Sequence, residues 1–218
     1  MADSTFDLTG KTALVTGGNG GIGLGMAEAL AQSGADICIW GQNEEKNKTA
    51  VEKLRPYGRK VAFFKCNVSD ENQVEENFAR TVEALGKVDA CFANAGVGRL
   101  GTPFHKMDIS EWRSVFGVNM EGVFFTFRSA IRHMLEREAG GSLIVTSSLS
   151  AKYGMPTGEH YAATKAGVVA IIRGLAVEYA RYRIRANAIL PGWIETDMTS
   201  PLFNIEKFEK NVIPRIPQ

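Results

Sequence analysis

An α/β fold with a doubly wound parallel sheet between two helical layers is predicted for this 218-residue chain by three observations. From residue 11 onward, short β-branched runs alternate with stretches of helical period. The first run ends in a cluster of glycines that opens a helix. No composition break, linker or internal repeat interrupts the alternation, so residues 1–218 read as one domain in three layers, α/β/α. A chain of this size with 44% hydrophobic residues is long enough to bury roughly 70% of its surface.

The elements follow in order. Residues 11–17 (KTALVTG) form the first strand, and 21–33 carry apolar residues at helical spacing. Strand, helix, strand, helix and strand are then expected over 36–40, 44–55, 61–66, 71–85 and 88–93. Parallel pairing is the economical solution, because each pair of strands is separated by a helix long enough for a crossover. The second half adds a long helix over 111–138, a strand over 142–147, a helix over 161–181 and a strand over 184–190 closed by Pro191-Gly192. Two of these helices are apolar on more than one face. Phe124, Phe125, Phe127 and Ile131 crowd the first, and Val168, Val169, Ile171, Ile172 and Val177 the second. A helix that covers a sheet needs one apolar stripe, so a homodimer or homotetramer is expected through the second face, the alternative being burial within the same chain.

Several function classes are set aside by composition. With 25 basic and 24 acidic residues the formal charge is +1, leaving no basic field for nucleic acid or an anionic membrane. Cys38, Cys66 and Cys91 are odd in number, widely spaced and set in strand-like runs, which predicts reduced, buried thiols and no metal site. The N-terminus has no signal-peptide core and no stretch reaches the ~20 apolar residues of a membrane span, so a cytoplasmic protein acting on a small molecule is expected.

Residues 16–25 read TGGNGGIGLG. Glycine permits a tight left-handed turn and lets backbone N–H groups and a helix N-terminus come close to a pyrophosphate. The G-x-G-x-x-G spacing, Gly18, Gly20 and Gly23, is informative here because it follows a strand and opens a helix. The second strand would end in an acidic residue for the ribose 2′-hydroxyl of NAD, or offer arginine for the 2′-phosphate of NADP. Trp40-Gly41-Gln42-Asn43 offers neither, though Gln42 could bond a ribose hydroxyl and Lys46 or Lys48 could turn toward a phosphate. NAD and NADP both stay open.

Tyr161 and Lys165 are four apart in a helical pattern and so share a face. A nearby ammonium favours the phenolate, bringing a tyrosine closer to acid/base work near neutral pH. Ser148 follows the strand over 142–147, and strand C-terminal ends are where such sheets place ligands. Taken together, these motifs resemble the short-chain dehydrogenase/reductase family in its compact single-domain branch, over residues 11 to about 196. Its TG-x-x-x-G-x-G motif falls on Thr16, Gly17, Gly21 and Gly23, and its N-A-G motif on Asn94, Ala95 and Gly96. The helix asparagine is Asn119, the Y-x-x-x-K pair Tyr161 and Lys165, the serine Ser148 and the turn Pro191-Gly192.

The resemblance implies a Rossmann-type sheet and an NAD(P)-dependent oxidoreductase that moves a hydride between nicotinamide and an alcohol or ketone. Tyr161 would be the acid/base, Ser148 would bond the substrate oxygen, and Lys165 would bond the nicotinamide ribose and lower the Tyr161 pKa. Asn119 would hold a water linking Lys165 to solvent, although it could also mark a kink. The cofactor would be bordered by Gly17, Asn19, Gly21, Ile22, Gly23, Gln42, Asn94 and Gly96. Asn67 and Val68 would lie near adenine, and Pro191, Gly192, Ile194 and Thr196 near the nicotinamide and phosphates. Position 67 usually carries aspartate in the family, and relatives continue past Gln218 through a helix and an edge strand, so a shortened C-terminus lacking that strand is expected. His160 is expected at the pocket wall or surface. Substrate selection is expected from residues 98–106, 149–160 and 193–208, where Tyr153, Met155, Trp193, Met198, Phe203 and Phe208 suggest an apolar pocket. A 3-oxoacyl thioester, a sugar and a simple ketone all fit. The alternative from another class is a catalytically silent dinucleotide-binding or scaffold protein.

Overall fold

The computed structural model describes residues 6–98, 101–197 and 199–216. Six parallel strands form one open sheet in the order β3-β2-β1-β4-β5-β6. They are β1 (Thr12–Thr16), β2 (Asp36–Gly41), β3 (Val61–Lys65), β4 (Ala90–Ala93), β5 (Gly141–Thr146) and β6 (Ile184–Ile189). The helices are α1 (Gly21–Gln32), α2 (Glu44–Leu54), α3 (Glu71–Leu85), α4 (Ile109–Phe116), α5 (Gly122–Glu136), α6 (Glu159–Glu178), α7 (Ser200–Phe203) and α8 (Glu206–Asn211).

Strand alternation divides the core between the two faces. In β1, Ala13 and Val15 join Ile37 and Ile39 of β2 under Ala27 and Ala31 of α1 and Ala50 and Leu54 of α2. Their neighbours Leu14, Cys38 and Trp40 point the other way, into a cluster with Val74 and Phe78 of α3, Phe127 and Met134 of α5, and Val168 and Ile172 of α6. The period of two in a strand enforces this split, and with both faces covered every residue of β1 is buried. Trp40 is fully buried, and its indole N–H donates to Thr81 Oγ1 at 3.1 Å, so the large ring carries no unsatisfied donor.

All three cysteines are buried and free. Cys38 and Cys91 lie in strands as expected, and Cys66 follows β3 by one residue. Burial pushes the Cys38 thiol up to about 12 and that of Cys66 to about 11, which keeps both protonated and unreactive. Among the described residues no helix is long and apolar enough to cross a membrane.

The long helix expected over 111–138 is two helices joined by a wider, π-type turn at Gly117–Glu121. The turn is held by Asn119, whose amide side chain bonds the backbone of Val97 in place of solvent. Gly122 is required just beyond it, because a Cβ there would lie 2.7 Å from Val68 Cγ2. Periodicity alone does not show such a turn, since flanking apolar residues keep helical spacing. On the outer faces Phe124 and Val177 remain exposed, Val177 at 82%.

The chain reverses its direction of winding between β1 and β4, and the crevice at their C-terminal ends is the ligand position in open α/β sheets.

Candidate active site

The floor of this crevice is the turn from β1 to α1. Gly17 and Gly21 have φ of +63° and +50°, the left-handed region. A Cβ on Gly23 would stand 2.2 Å from the Gly17 carbonyl oxygen and 2.4 Å from Asn94 Nδ2. Here α1 begins at an extended Gly20 with no side-chain cap and no acidic residue in its first turn, whereas Asn43, Asp70 and Asp108 cap α2, α3 and α4. The first N–H groups of α1 are thus left to whatever anion enters the crevice. Gly25 is exposed with open space around its Cβ position, and nothing in the structure explains glycine there.

Three strand ends are tied together above the floor. The Thr16 hydroxyl accepts from the N–H groups of Asn94 and Ala95, both at 3.0 Å. Asn94 Nδ2 donates to the Thr16 carbonyl at 3.1 Å, while Asn94 Oδ1 accepts from Thr146 Oγ1 at 3.0 Å. Asn94 thereby fixes β1, β4 and β5 relative to one another.

The opposite wall carries the titratable groups. Ser148 follows β5; its Oγ accepts from the Ser150 N–H at 3.1 Å, and its single proton has Ser150 Oγ and Tyr161 as acceptors in reach. In α6, Lys165 lies one turn beyond Tyr161 with Nζ 5.6 Å from the ring centroid. Lys165 is nearly buried and Nζ donates to the Thr146 carbonyl at 2.8 Å. Burial raises the Tyr161 phenol above its ordinary value, and the Ser148 hydrogen bond offsets only part of that. The depression expected from Lys165 is not seen in this geometry: burial, the larger effect, raises Tyr161 and only the Ser148 hydrogen bond lowers it.

Burial also pulls Lys165 itself down to about 8. An unfolded lysine keeps its proton to about 10.4, so between these values the unfolded chain binds more protons and stability rises with pH. Thermal denaturation should show the unaltered chain gaining stability over Lys165→Met as pH rises from about 8 to about 10. Parallel pH profiles would mean that Lys165 does not titrate low.

The cleft of about 330 Å³ between floor and wall brings together most of the residues expected from sequence. Gly17, Asn19, Gly21, Ile22, Gly23, Asn94, Gly96, Ser148, Tyr161, Lys165, Pro191, Gly192, Ile194 and Thr196 all line it. Asn119 stands behind the wall, 1% exposed, accepting from Val97 N–H at 2.9 Å and donating to Thr164 Oγ1 at 3.1 Å. Gln42 donates to Asn67 Oδ1 at 3.2 Å, so these two partner each other away from the cleft lining. Val68 packs against Gly122. Met198 lies outside the described residues. Lys46, weighed from sequence as a phosphate partner, lines the cleft, as do Asp197 and Thr199 of the 193–208 segment; Thr146 and Ser147 line it too and were not anticipated. Thr146 carried no sequence signal because its carbonyl does the holding, whereas the Lys46–Asp197 pair at 3.1 Å joins residues 151 apart in sequence.

Residues 11–207 match the family model described as short chain dehydrogenase. The chain belongs to the short-chain dehydrogenase/reductase family. It is similar to the 3-oxoacyl-(acyl-carrier-protein) reductase of Chlamydia pneumoniae, at 40% identity over 89% of this chain and 78% of that protein. It is 35% identical to the 5-keto-D-gluconate 5-reductase of Escherichia coli K12, over 97% of this chain and 83% of the other. Among solved structures, the 3-ketoacyl-(acyl-carrier-protein) reductase of Brucella melitensis complexed with NADH superposes with a TM-score of 0.85 at 29% identity, covering 89% of this chain and 80% of that one. This short-chain dehydrogenase/reductase is an NAD(P)-dependent oxidoreductase, and the likeness supports that reading over a silent scaffold.

Proposed function

We propose that the chain interconverts an alcohol and its carbonyl compound, with Tyr161 as acid/base, Ser148 holding the reacting oxygen, and Lys165 and Asn119 supporting them. The observation that carries this is the Tyr161 hydroxyl beside Ser148, with Lys165 one turn away, on the wall facing an uncapped, glycine-walled helix N-terminus. The cradle fits a dinucleotide: a Cβ at Gly23 would fill it, and uncapped N–H groups face it. The nicotinamide cofactor, when bound, supplies or accepts the hydride. Gly17, Asn19, Gly21, Ile22 and Gly23 would hold its phosphates, Asn94, Gly96, Pro191, Gly192, Ile194 and Thr196 would border it, and Gln42, Asn67 and Val68 would lie toward its adenosine end.

The chain's own groups do the rest. In reduction the Tyr161 O–H gives its proton to the carbonyl oxygen while Ser148 donates a hydrogen bond that stabilises the developing charge. Burial raises the Tyr161 phenol, so the protonated form that serves carbonyl reduction persists to higher pH, and the rate of alcohol oxidation should rise with pH as the phenolate forms. The Thr146 carbonyl positions Lys165 next to Tyr161. The relatives named above act on an acyl thioester and on a sugar acid, so the substrate panel should span 3-oxoacyl thioesters, keto-sugar acids and simple ketones.

Titration with NADH and NADPH by nicotinamide fluorescence, followed by absorbance with that panel, tests the reading. Coenzyme binding with turnover of one carbonyl class supports it; binding of neither coenzyme by the folded chain would overturn it. We further propose a cytoplasmic homodimer or homotetramer built on the exposed Phe124 and Val177 faces of α5 and α6. Light scattering that returns the monomer mass would remove that assembly.

A further inference from the structure

His160 opens the helix that carries Tyr161, yet it takes no part in the reaction described above. Its side chain is neither at the pocket wall nor at the surface, where the sequence placed it: it is 0% exposed and does not line the cleft. Neither ring nitrogen has a hydrogen-bond partner. Such a group is a liability that an apolar side chain of the same size would not carry, so its surroundings are informative.

The nearest carboxylate is Glu111 of α4, whose Oε1 lies 3.7 Å from His160 Nε2. The other oxygen of Glu111 accepts from Thr102 Oγ1 at 3.1 Å, which ties α4 to the segment following β4. A third tie runs between backbones, from Gly101 N–H to the Thr157 carbonyl at 3.3 Å. Thr157 sits at φ +59°, a left-handed conformation that a threonine adopts only when its surroundings require it. The segment ahead of α6 is thus gripped from the side that leads out of β4, immediately before Tyr161.

We propose that His160 is a positioning residue for Tyr161: its imidazole N–H engages Glu111 and, through Glu111 and Thr102, fastens the first turn of α6 to α4 and to the segment after β4. Neutral imidazole already carries the one N–H required, so the fastening does not wait on protonation. Closing 3.7 Å to a normal hydrogen bond takes well under about 1 Å of side-chain movement. Because α4 runs on into the turn of Asn119, which holds Val97, the same contacts connect the Tyr161 hydroxyl to the cleft wall on the β4 side.

The proposal rests on the reading of Tyr161 as the acid/base, and its test separates the two. In protein labelled with ¹³C at tyrosine Cζ, Tyr161 is identified among the five tyrosines by its loss in Tyr161→Phe, and its ionisation is followed by NMR. His160→Leu should lower the Tyr161 midpoint toward that of a free tyrosine, as a loosened first turn relieves its burial, with the other four unmoved. His160→Gln, which keeps an N–H at the reach of Nε2, should restore it. Glu111→Ala should act in the same direction as His160→Leu, and the double variant should move no further than either alone. Turnover should fall roughly tenfold in His160→Leu with coenzyme affinity unchanged, the scale expected of a misplaced acid/base. An unmoved midpoint, or additive shifts in the double variant, would overturn the fastening. If His160→Leu does not fold, Glu111→Ala, at a partly exposed position, decides alone by the same midpoint. Absence of coenzyme binding would strike the oxidoreductase reading only, since the tyrosine titration needs neither coenzyme nor substrate.

Discussion

Replacing Tyr161 by phenylalanine should leave coenzyme affinity within a factor of about two and lower turnover by at least about 100-fold, the low end for loss of a general acid/base. The change removes one oxygen from a half-buried ring, so the packing of α6 against the cleft is retained. Lys165 keeps its bond to Thr146, and Ser148 still has Ser150 as a partner. What is lost is the proposed acid/base hydroxyl itself, which sits beside Ser148. The measurement is a fluorescence titration of coenzyme beside initial rates on the best carbonyl of the panel. Turnover that survives nearly intact would remove Tyr161 from the reaction.

Gly23→Ala should act the other way, on binding before chemistry. Its Cβ would fall 2.2 Å from the Gly17 carbonyl and 2.4 Å from Asn94 Nδ2, neither of which is the free end of a flexible chain. Asn94 is committed to Thr16 and Thr146, so relief must come from the turn itself, which carries the N–H groups proposed to hold the phosphates. Overpacking of this kind costs about 1–3 kcal/mol of stability. Coenzyme affinity should fall at least roughly tenfold, about 1.4 kcal/mol. Thermal shift with and without NADH or NADPH reads both: a lower melting temperature and a much reduced coenzyme-induced rise. A variant that binds as tightly as the unaltered chain would show that the turn is not the phosphate cradle.

The alternation of strands and helices was legible because both faces of the sheet are covered. Apolar runs such as 12–16 and 36–41 then have no polar alternation to blur them, and helices of one stripe stand out between them. The glycine turn and the Tyr161–Lys165 pair were legible because their chemistry depends on residue type at fixed local spacing. Less was legible wherever function is carried by backbone or by distant pairing. The Thr146 carbonyl that holds Lys165 could be supplied by any residue, and Gln42 and Asn67 satisfy each other across 25 positions. His160 was misplaced for the same reason: its burial depends on Glu111 and Thr102, which sequence does not set beside it.

The wide turn at Gly117–Glu121 acts as a phase shifter. Val115 and Val123 are both buried, yet eight residues of unbroken α-helix would set them about 80° apart around the axis. Absorbing one residue in the turn leaves seven to count, and about 20° of misalignment. One asparagine, by exchanging hydrogen bonds with Val97, therefore keeps the buried faces of two successive helices in angular register, α5 against β4 and β5 and α4 against α6. Losing those bonds would invite the ladder to revert to regular winding, and one of the two helices would have to roll its apolar stripe out of the core.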